Sequence, residues 1–206
     1  LTGEEHKHIT KVMRHTAGDV IYVTDGKGNI YNCIIDVIKK DAVFVLIKDR
    51  KKYEEKFPNL IFCIPKLRQP DRLEFALEKC TELGITNFIV FSSERTVAKG
   101  DKLERWNRIL LSAMKQSLQS YLPKLEAMPL AEIIKLEGEK IIFEQSAEKL
   151  FKDFHLQKEK KYYFIFGPEG GLSEKELENF NKENFYRIAD NRLRSETAVL
   201  KAASLV

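Results

Sequence analysis

The apolar rhythm of the chain changes at Leu60, and this constrains the fold more than any other feature. Before that point the runs are short and alternating. Val20 to Thr24 alternates about Ile21 and Val23, Asp25-Gly26-Lys27-Gly28-Asn29 reads as a turn, and Ile30 to Ile38 sets Tyr31, Cys33, Ile35 and Val37 on one face. A third strand, Ala42 to Lys48, follows Lys39-Lys40-Asp41. Short strands joined by tight turns predict a small barrel or curled sheet. Asp49 to Asn59 is charged, contains Pro58 and reads as a linker, so the expected domains are residues 1–55 and 60–206.

After Leu60, strand and helix patterns alternate, which predicts a parallel sheet with covering helices. Strands are expected at Leu60 to Pro65, Ile85 to Phe91, Lys140 to Glu144, Tyr162 to Phe166 and Phe185 to Ile188. Asp71 with Glu74 looks like a capping box opening a helix that carries Leu73, Ala76, Leu77, Cys80 and Leu83 and stops at Gly84. A second helix keeps 3.6-residue spacing from Leu103 to about Tyr121, and a last one starts near Ser195.

Composition narrows the class. The 206 residues are 43% hydrophobic and 32% charged with 10 Gly and 6 Pro, which excludes collagen-like and wholly disordered chains. No apolar run reaches the roughly 20 residues of a membrane span. The chain starts at Leu1 without an initiator Met and stops at Val206 in mid-helix, so further residues are expected at either end. Cys33, Cys63 and Cys80 are widely spaced with no C-x-x-C, which speaks against a disulfide framework or a zinc site and fits a cytoplasmic setting. His6 and His8 form an H-x-H with no further ligand at recognisable spacing, so no metal is expected. A net charge of +4 permits an anionic partner without requiring one.

Two stretches could carry chemistry. In the first, the apolar strand Tyr162 to Phe166 leads into Gly167-Pro168-Glu169-Gly170-Gly171, and Ser173 with Glu176 forms a capping box opening a helix. A glycine loop at the carboxyl end of a parallel strand is where open α/β sheets bind ligands. Neither phosphate fingerprint is present, and Glu169 would repel a phosphate, so the loop suits a cationic or hydroxyl-bearing ligand. A tight turn with glycines at left-handed positions is the plain alternative. In the second stretch, Ile188 to Ala198, Arg192 and Arg194 precede a helix that Ser195 would cap. Cations at that end of a helix are locally unfavourable, which points to an RNA phosphate or an acidic partner, a solvated turn being the alternative.

These residues together resemble the ribosomal RNA small subunit methyltransferase E family, SPOUT-class enzymes that methylate N3 of a uridine in 16S rRNA with S-adenosylmethionine. The matching stretches are His8-Ile9-x-x-Val12-Met13-Arg14 with Gly18-Asp19, Lys66 with Glu78 to Gly84, Ser93-Glu94-Arg95, Gln116-Ser117, and the pair Gly167 to Gly171 and Leu193 to Ala198. The resemblance implies a PUA-like RNA-binding barrel followed by an α/β domain whose carboxyl-terminal segment threads a trefoil knot, in an obligatory homodimer. It implies a donor site at Glu144, Gly167, Pro168, Glu169, Gly170, Gly171, Ile188, Ala189, Asn191 and Leu193. The chain departs from the family in two places. Ile188-Ala189 replaces a Leu-Gly, and Gln119 stands where the family has Arg.

For the chemistry, Arg194 is the candidate to stabilise negative charge on the uracil oxygens, since a guanidinium stays charged and offers a planar fork of donors. Glu196 is the nearest acid to accept the N3 proton or orient Arg194, or it serves as a favourable first-turn carboxylate; Glu169 is a further candidate base. His8, Lys11, Arg14, Lys66, Arg95 and Arg192 are expected to hold RNA, in small-subunit rRNA or in the assembled small ribosomal subunit. Tyr121 could stack on a flipped base. Competing readings are a SPOUT enzyme acting on tRNA or another rRNA site, a different nucleotide-binding α/β enzyme, and a non-catalytic RNA-binding or assembly protein.

Overall fold

In the computed structural model, which describes residues 1–206, the alternating runs of the first fifty positions form an antiparallel sheet ordered β1-β2-β3: Val20–Thr24, Asn29–Ile38 and Val43–Lys52. Its inner face carries Ile21, Cys33, Ile35 and Val43, against which Ile9 packs from a π turn (His8–Val12) that follows the short helix α1 (Gly3–Lys7). β3 runs beyond the expected Lys48, because Lys51 and Lys52 pair with Ile30 and Asn29. The start of the expected linker is therefore strand. The turn before β2 is built by Asp25, whose carboxylate accepts from Lys27 N at 2.8 Å and from Asn29 Nδ2 at 2.6 Å. This unit comprises Leu1–Glu55 together with Leu118–Tyr121. The distant segment enters through Gly28 N, which donates to Ser120 O at 2.9 Å, and through Tyr121 Oη, which donates to Tyr53 O at 3.1 Å.

The second unit, Lys56–Ser117 with Leu122–Val206, is a six-stranded sheet ordered β6-β5-β4-β8-β7-β9 in which every neighbour pair is parallel. The strands are β4 (Leu60–Pro65), β5 (Asn87–Ser92), β6 (Lys124–Pro129), β7 (Glu139–Phe143), β8 (Tyr162–Phe166) and β9 (Phe185–Tyr186). β4 and β8 are buried throughout, as expected for strands covered on both faces. Phe62 and Phe164 meet Leu73, Leu77, Trp106, Leu110, Val199 and Ala202 from α2 (Pro70–Glu82), α3 (Leu103–Gln116) and α6 (Ser195–Leu205). Ile61, Cys63 and Ile165 meet Leu130, Ile133 and Leu172 on the other face, beside α4 (Leu130–Lys135) and α5 (Glu174–Leu177). Each fully buried large side chain contributes about 1.5–3 kcal/mol by removal from water.

Three expected details differ. α2 starts at Pro70, an N1 position that suits proline, with Gln69 as N-cap; Asp71 makes no cap, and Glu74 binds Arg105 of α3 at 2.6 Å. α3 stops at Gln116, because Leu118 turns into the left-handed region at φ +53° and carries the chain to the first unit. β6 was not expected from the pattern. It is an edge strand with Lys124 and Glu126 exposed, so its sequence lacks a continuous apolar run.

The three cysteines fall in three separate apolar clusters, and burial pushes the thiols of Cys63 and Cys80 well up from their ordinary value.

Candidate active site

The strand order of the second sheet runs outward from β4 in both directions, to β5 and to β8, and ligands in open α/β sheets bind beyond the carboxyl ends of strands at such a reversal. On the β8 side of that reversal, beyond the carboxyl ends of β8 and its neighbour β7, lies a cavity of about 390 Å³, within the range of small-molecule sites. Its floor is apolar. Phe143 at the end of β7 stacks on Phe166 at the end of β8, with ring centroids 4.6 Å apart, and Ile188, Leu193 and Ala198 complete it.

The glycine loop forms one wall. Gly171 N donates to Pro168 O at 2.8 Å, closing a turn in which only Gly171 takes a left-handed φ, +70°. At Gly167 the loop lies close upon itself without excluding a side chain: a Cβ there would sit 3.4 Å from Gly171 Cα, in van der Waals contact. Three hydrogen bonds hold the loop from outside. Ser195 Oγ donates to Gly167 O at 2.9 Å, Arg68 N donates to Glu169 Oε1 at 3.0 Å, and Arg95 Nη1 donates to Gly170 O at 2.8 Å. Ser195, expected as a cap, thus ties the start of α6 to the glycine loop, and Arg194 occupies the N-cap position instead.

The opposite wall is Ile188 to Ser195. Gln145 Nε2 donates to both Ala189 O at 3.1 Å and Asp190 O at 3.2 Å, fixing that segment against the end of β7. Of the expected donor residues, Glu144, Gly167, Pro168, Glu169, Gly171, Ile188, Ala189 and Leu193 line the cavity, together with Arg192 and Arg194. Gly170 and Asn191 do not; Gly170 faces Arg95, and Asn191 Nδ2 reaches only Arg192 O at 3.5 Å. Sequence reasoning missed Arg72, Phe143, Gln145, Phe166 and Ala198 as lining residues. The two aromatics carried a signal, since each ends a strand of the central sheet; Arg72 carried none, because it arrives from α2.

Glu196 is only 12% exposed and pairs with Arg72 Nε at 3.5 Å, which places it behind the cavity wall. Lys66 Nζ is held by Asp101 at 2.7 Å. His8, Lys11 and Arg14 are exposed on the first unit, where Arg14 takes φ +56°. Tyr121 is engaged with Tyr53 O and the Gly28 turn. No cluster of His, Cys, Asp or Glu is placed to hold a metal ion, and no helix is long and apolar enough to cross a membrane.

Carboxylates at Glu144 and Glu169 and guanidiniums at Arg72, Arg192 and Arg194 line the same cavity and suit a ligand with both signs of charge, and the apolar floor suits a flat ring. S-adenosylmethionine has that chemistry: a sulfonium, an amino-acid zwitterion and an adenine. Fold and site define the class, an α/β RNA methyltransferase carrying a PUA domain: residues 54–206 match the RNA methyltransferase domain family, and residues 1–48 match the RNA methyltransferase PUA domain. The ribosomal RNA small subunit methyltransferase E of Bacillus subtilis is 30% identical over 225 residues, covering 100% of this chain and 88% of the relative. That of Aquifex aeolicus is 27% identical over 98% of this chain and 90% of its own. A crystal structure of the Neisseria gonorrhoeae ribosomal RNA small subunit methyltransferase E, bound to S-adenosyl methionine, superposes with a TM-score of 0.86 at 27% identity, over 99% of this chain and 88% of that one. The chain belongs to the ribosomal RNA small subunit methyltransferase E family.

Proposed function

We propose that the protein methylates N3 of a uridine in small-subunit ribosomal RNA, taking the methyl group from S-adenosylmethionine. The observation that carries this reading is the single cavity in which the glycine loop and the arginine-bearing segment face each other. S-adenosylmethionine supplies an electrophilic methyl carbon when bound. Glu144 and Glu169 would attract its cationic groups, Arg72 its carboxylate, and Phe143, Phe166, Ile188 and Leu193 its adenine. Arg194 lines the same space and would hold negative charge on the uracil oxygens as N3 forms its new bond. The N3 proton must leave to a base during that step. Glu196, behind the wall and paired with Arg72, would keep Arg72 oriented, or accept the proton only if that pair opens; Glu169, which lines the cavity, is the alternative acceptor.

Residues 1–55, with His8, Lys11 and Arg14, would grip RNA phosphates as a PUA-like domain, and Lys66, Arg95 and Arg192 would extend that grip on the catalytic domain, residues 60–206. The trefoil threading, a homodimer, a cytoplasmic location and the small ribosomal subunit as substrate complete the proposal.

The test is incubation with labelled S-adenosylmethionine and small ribosomal subunits lacking native uridine N3 methylation, followed by nucleoside mass spectrometry. One 3-methyluridine site is expected. Donor binding without product would move the target to tRNA or another rRNA site, and absence of donor binding by the intact chain would leave a non-catalytic RNA-binding protein.

A further inference from the structure

We infer that Arg95 is a positioning residue: it clamps the glycine loop from its outer side and thereby couples donor binding to the grip on RNA. The inference rests on the methyltransferase reading above. Four of the five loop residues, Gly167, Pro168, Glu169 and Gly171, face the cavity. The fifth, Gly170, faces Arg95. Its carbonyl accepts from Arg95 Nη1 at 2.8 Å, and a Cβ built on it would lie 3.6 Å from Arg95 Cδ and 3.7 Å from Arg95 Cβ, so the arginine stem lies along the back of the loop.

Arg95 is itself held in place. The turn after β5 is closed by Ser93 N donating to Thr96 Oγ1 at 2.8 Å, and Glu94 N donates to Glu176 Oε1 at 2.8 Å. The other oxygen of Glu176 accepts from Ser173 N, also at 2.8 Å, so one carboxylate ties the Arg95 turn to the end of the glycine segment. The clamp and the loop therefore form one hydrogen-bonded body.

Of the three groups that hold the loop from outside, the Ser195 hydroxyl and the Arg68 N–H carry no charge. Arg95 alone acts through an exposed cation. A guanidinium carries five N–H donors in a planar fork, so it can take a phosphate oxygen while one donor stays on Gly170 O. A phosphate that fixes the guanidinium fixes Gly170 as well, and a glycine-rich segment has much conformational freedom to lose. Ordering the loop favours the donor, and by linkage a bound donor then favours RNA by the same factor.

The experiment is calorimetric titration of S-adenosylmethionine into the full chain, with and without protein-free small-subunit rRNA, for the wild type, Arg95→Met and Arg95→Lys, with melting curves as a fold control. Without RNA, both variants are expected to weaken donor binding by about five- to tenfold, the range of one net hydrogen bond acting through the loop. RNA is expected to tighten donor binding to the wild type by about threefold or more and to leave both variants unchanged. Arg95→Lys keeps a cation for phosphate without the planar fork, so it should retain most RNA affinity and still lose the coupling. Wild-type donor affinity in Arg95→Met, or wild-type coupling in Arg95→Lys, would overturn the inference. A wild-type chain that binds rRNA but not S-adenosylmethionine would overturn the methyltransferase reading itself, an outcome distinct from failure of the clamp alone.

Discussion

Gly28 carries the sharpest constraint on any single residue of the first unit. Its φ is +97°, and an added Cβ would meet Tyr121 Oη at 2.6 Å and Tyr53 O at 2.9 Å, the latter a backbone atom that has no rotamer to move into. Gly28→Ala should therefore lose about 2–4 kcal/mol. Gly100, at φ +75° with nothing within 4 Å of its Cβ, should lose only about 1 kcal/mol on the same change. Urea unfolding of the two variants separates the steric part from the backbone part, and equal losses would contradict the packing described here. The turn was readable from Asp25-Gly26-Lys27-Gly28, but which glycine is irreplaceable was not, since the group that crowds it comes from a distant segment. At the other residue of interest, Arg194, the N-cap makes no side-chain capping bond, so truncation leaves α6 its start. Arg194→Ala is expected to slow single-turnover methyl transfer by about 10²–10³-fold, the cost of one electrostatic donor at a developing charge. Calorimetry should find donor affinity kept, and near wild-type rates would remove Arg194 from the chemistry.

At the scale of elements, two similar local patterns had opposite fates. Ser173 and Glu176 form the expected capping box: Glu176 N donates to Ser173 Oγ at 3.3 Å and Ser173 N to Glu176 Oε2 at 2.8 Å. Both partners lie within one turn, so the sequence contains the whole interaction. Asp71 and Glu74 share the spacing, yet Pro70 takes the first helical position and Glu74 is drawn to Arg105 on α3. A tertiary ion pair won over a local cap. The β1–β2 turn is of the first kind, and it titrates. Asp25 is held below its ordinary pKa, chiefly by the Asn29 side chain and then by the Lys27 N–H. The folded state then binds fewer protons than the unfolded chain, so this contribution is complete above the ordinary carboxylate value and fades as pH falls through the folded one. Asp25→Asn keeps an acceptor that does not titrate. Its melting temperature should fall less steeply than that of the wild type on acidification from about pH 5 to pH 3, as followed by circular dichroism. Parallel curves would show that the turn does not contribute.

At the scale of the whole molecule, neither unit of the chain is a contiguous stretch. A fragment of residues 1–55 keeps all three strands but lacks Ser120 O for Gly28 N and Tyr121 for Tyr53 O. It should melt below a fragment in which residues 118–121 are fused back through a short linker, and identical melting would make the segment dispensable. The candidate site has a similar origin: α2 supplies Arg72, β7 leads to Glu144 and Gln145, β8 leads to the glycine loop, and α6 begins at its edge. The small residues Ala202 and Ala203 of α6 are buried within this chain's own core, where α6 lies against α2.

What the sequence by itself determined was whatever depends on near neighbours. The alternation of strands, the switch to strand and helix at Leu60, the Ser173 capping box and the glycine loop after Phe166 are all short-range patterns of side-chain period, φ preference and local hydrogen bonding. Only the tertiary structure decided that β4 lies between β5 and β8, that Leu118–Tyr121 completes the first unit, that Arg72 and Gln145 enter the cavity, and that Arg95 faces Gly170 rather than open solvent. Each of those depends on which distant segments meet. Many pairings of apolar strands satisfy the same local pattern, and only the simultaneous burial of both faces of the sheet selects among them.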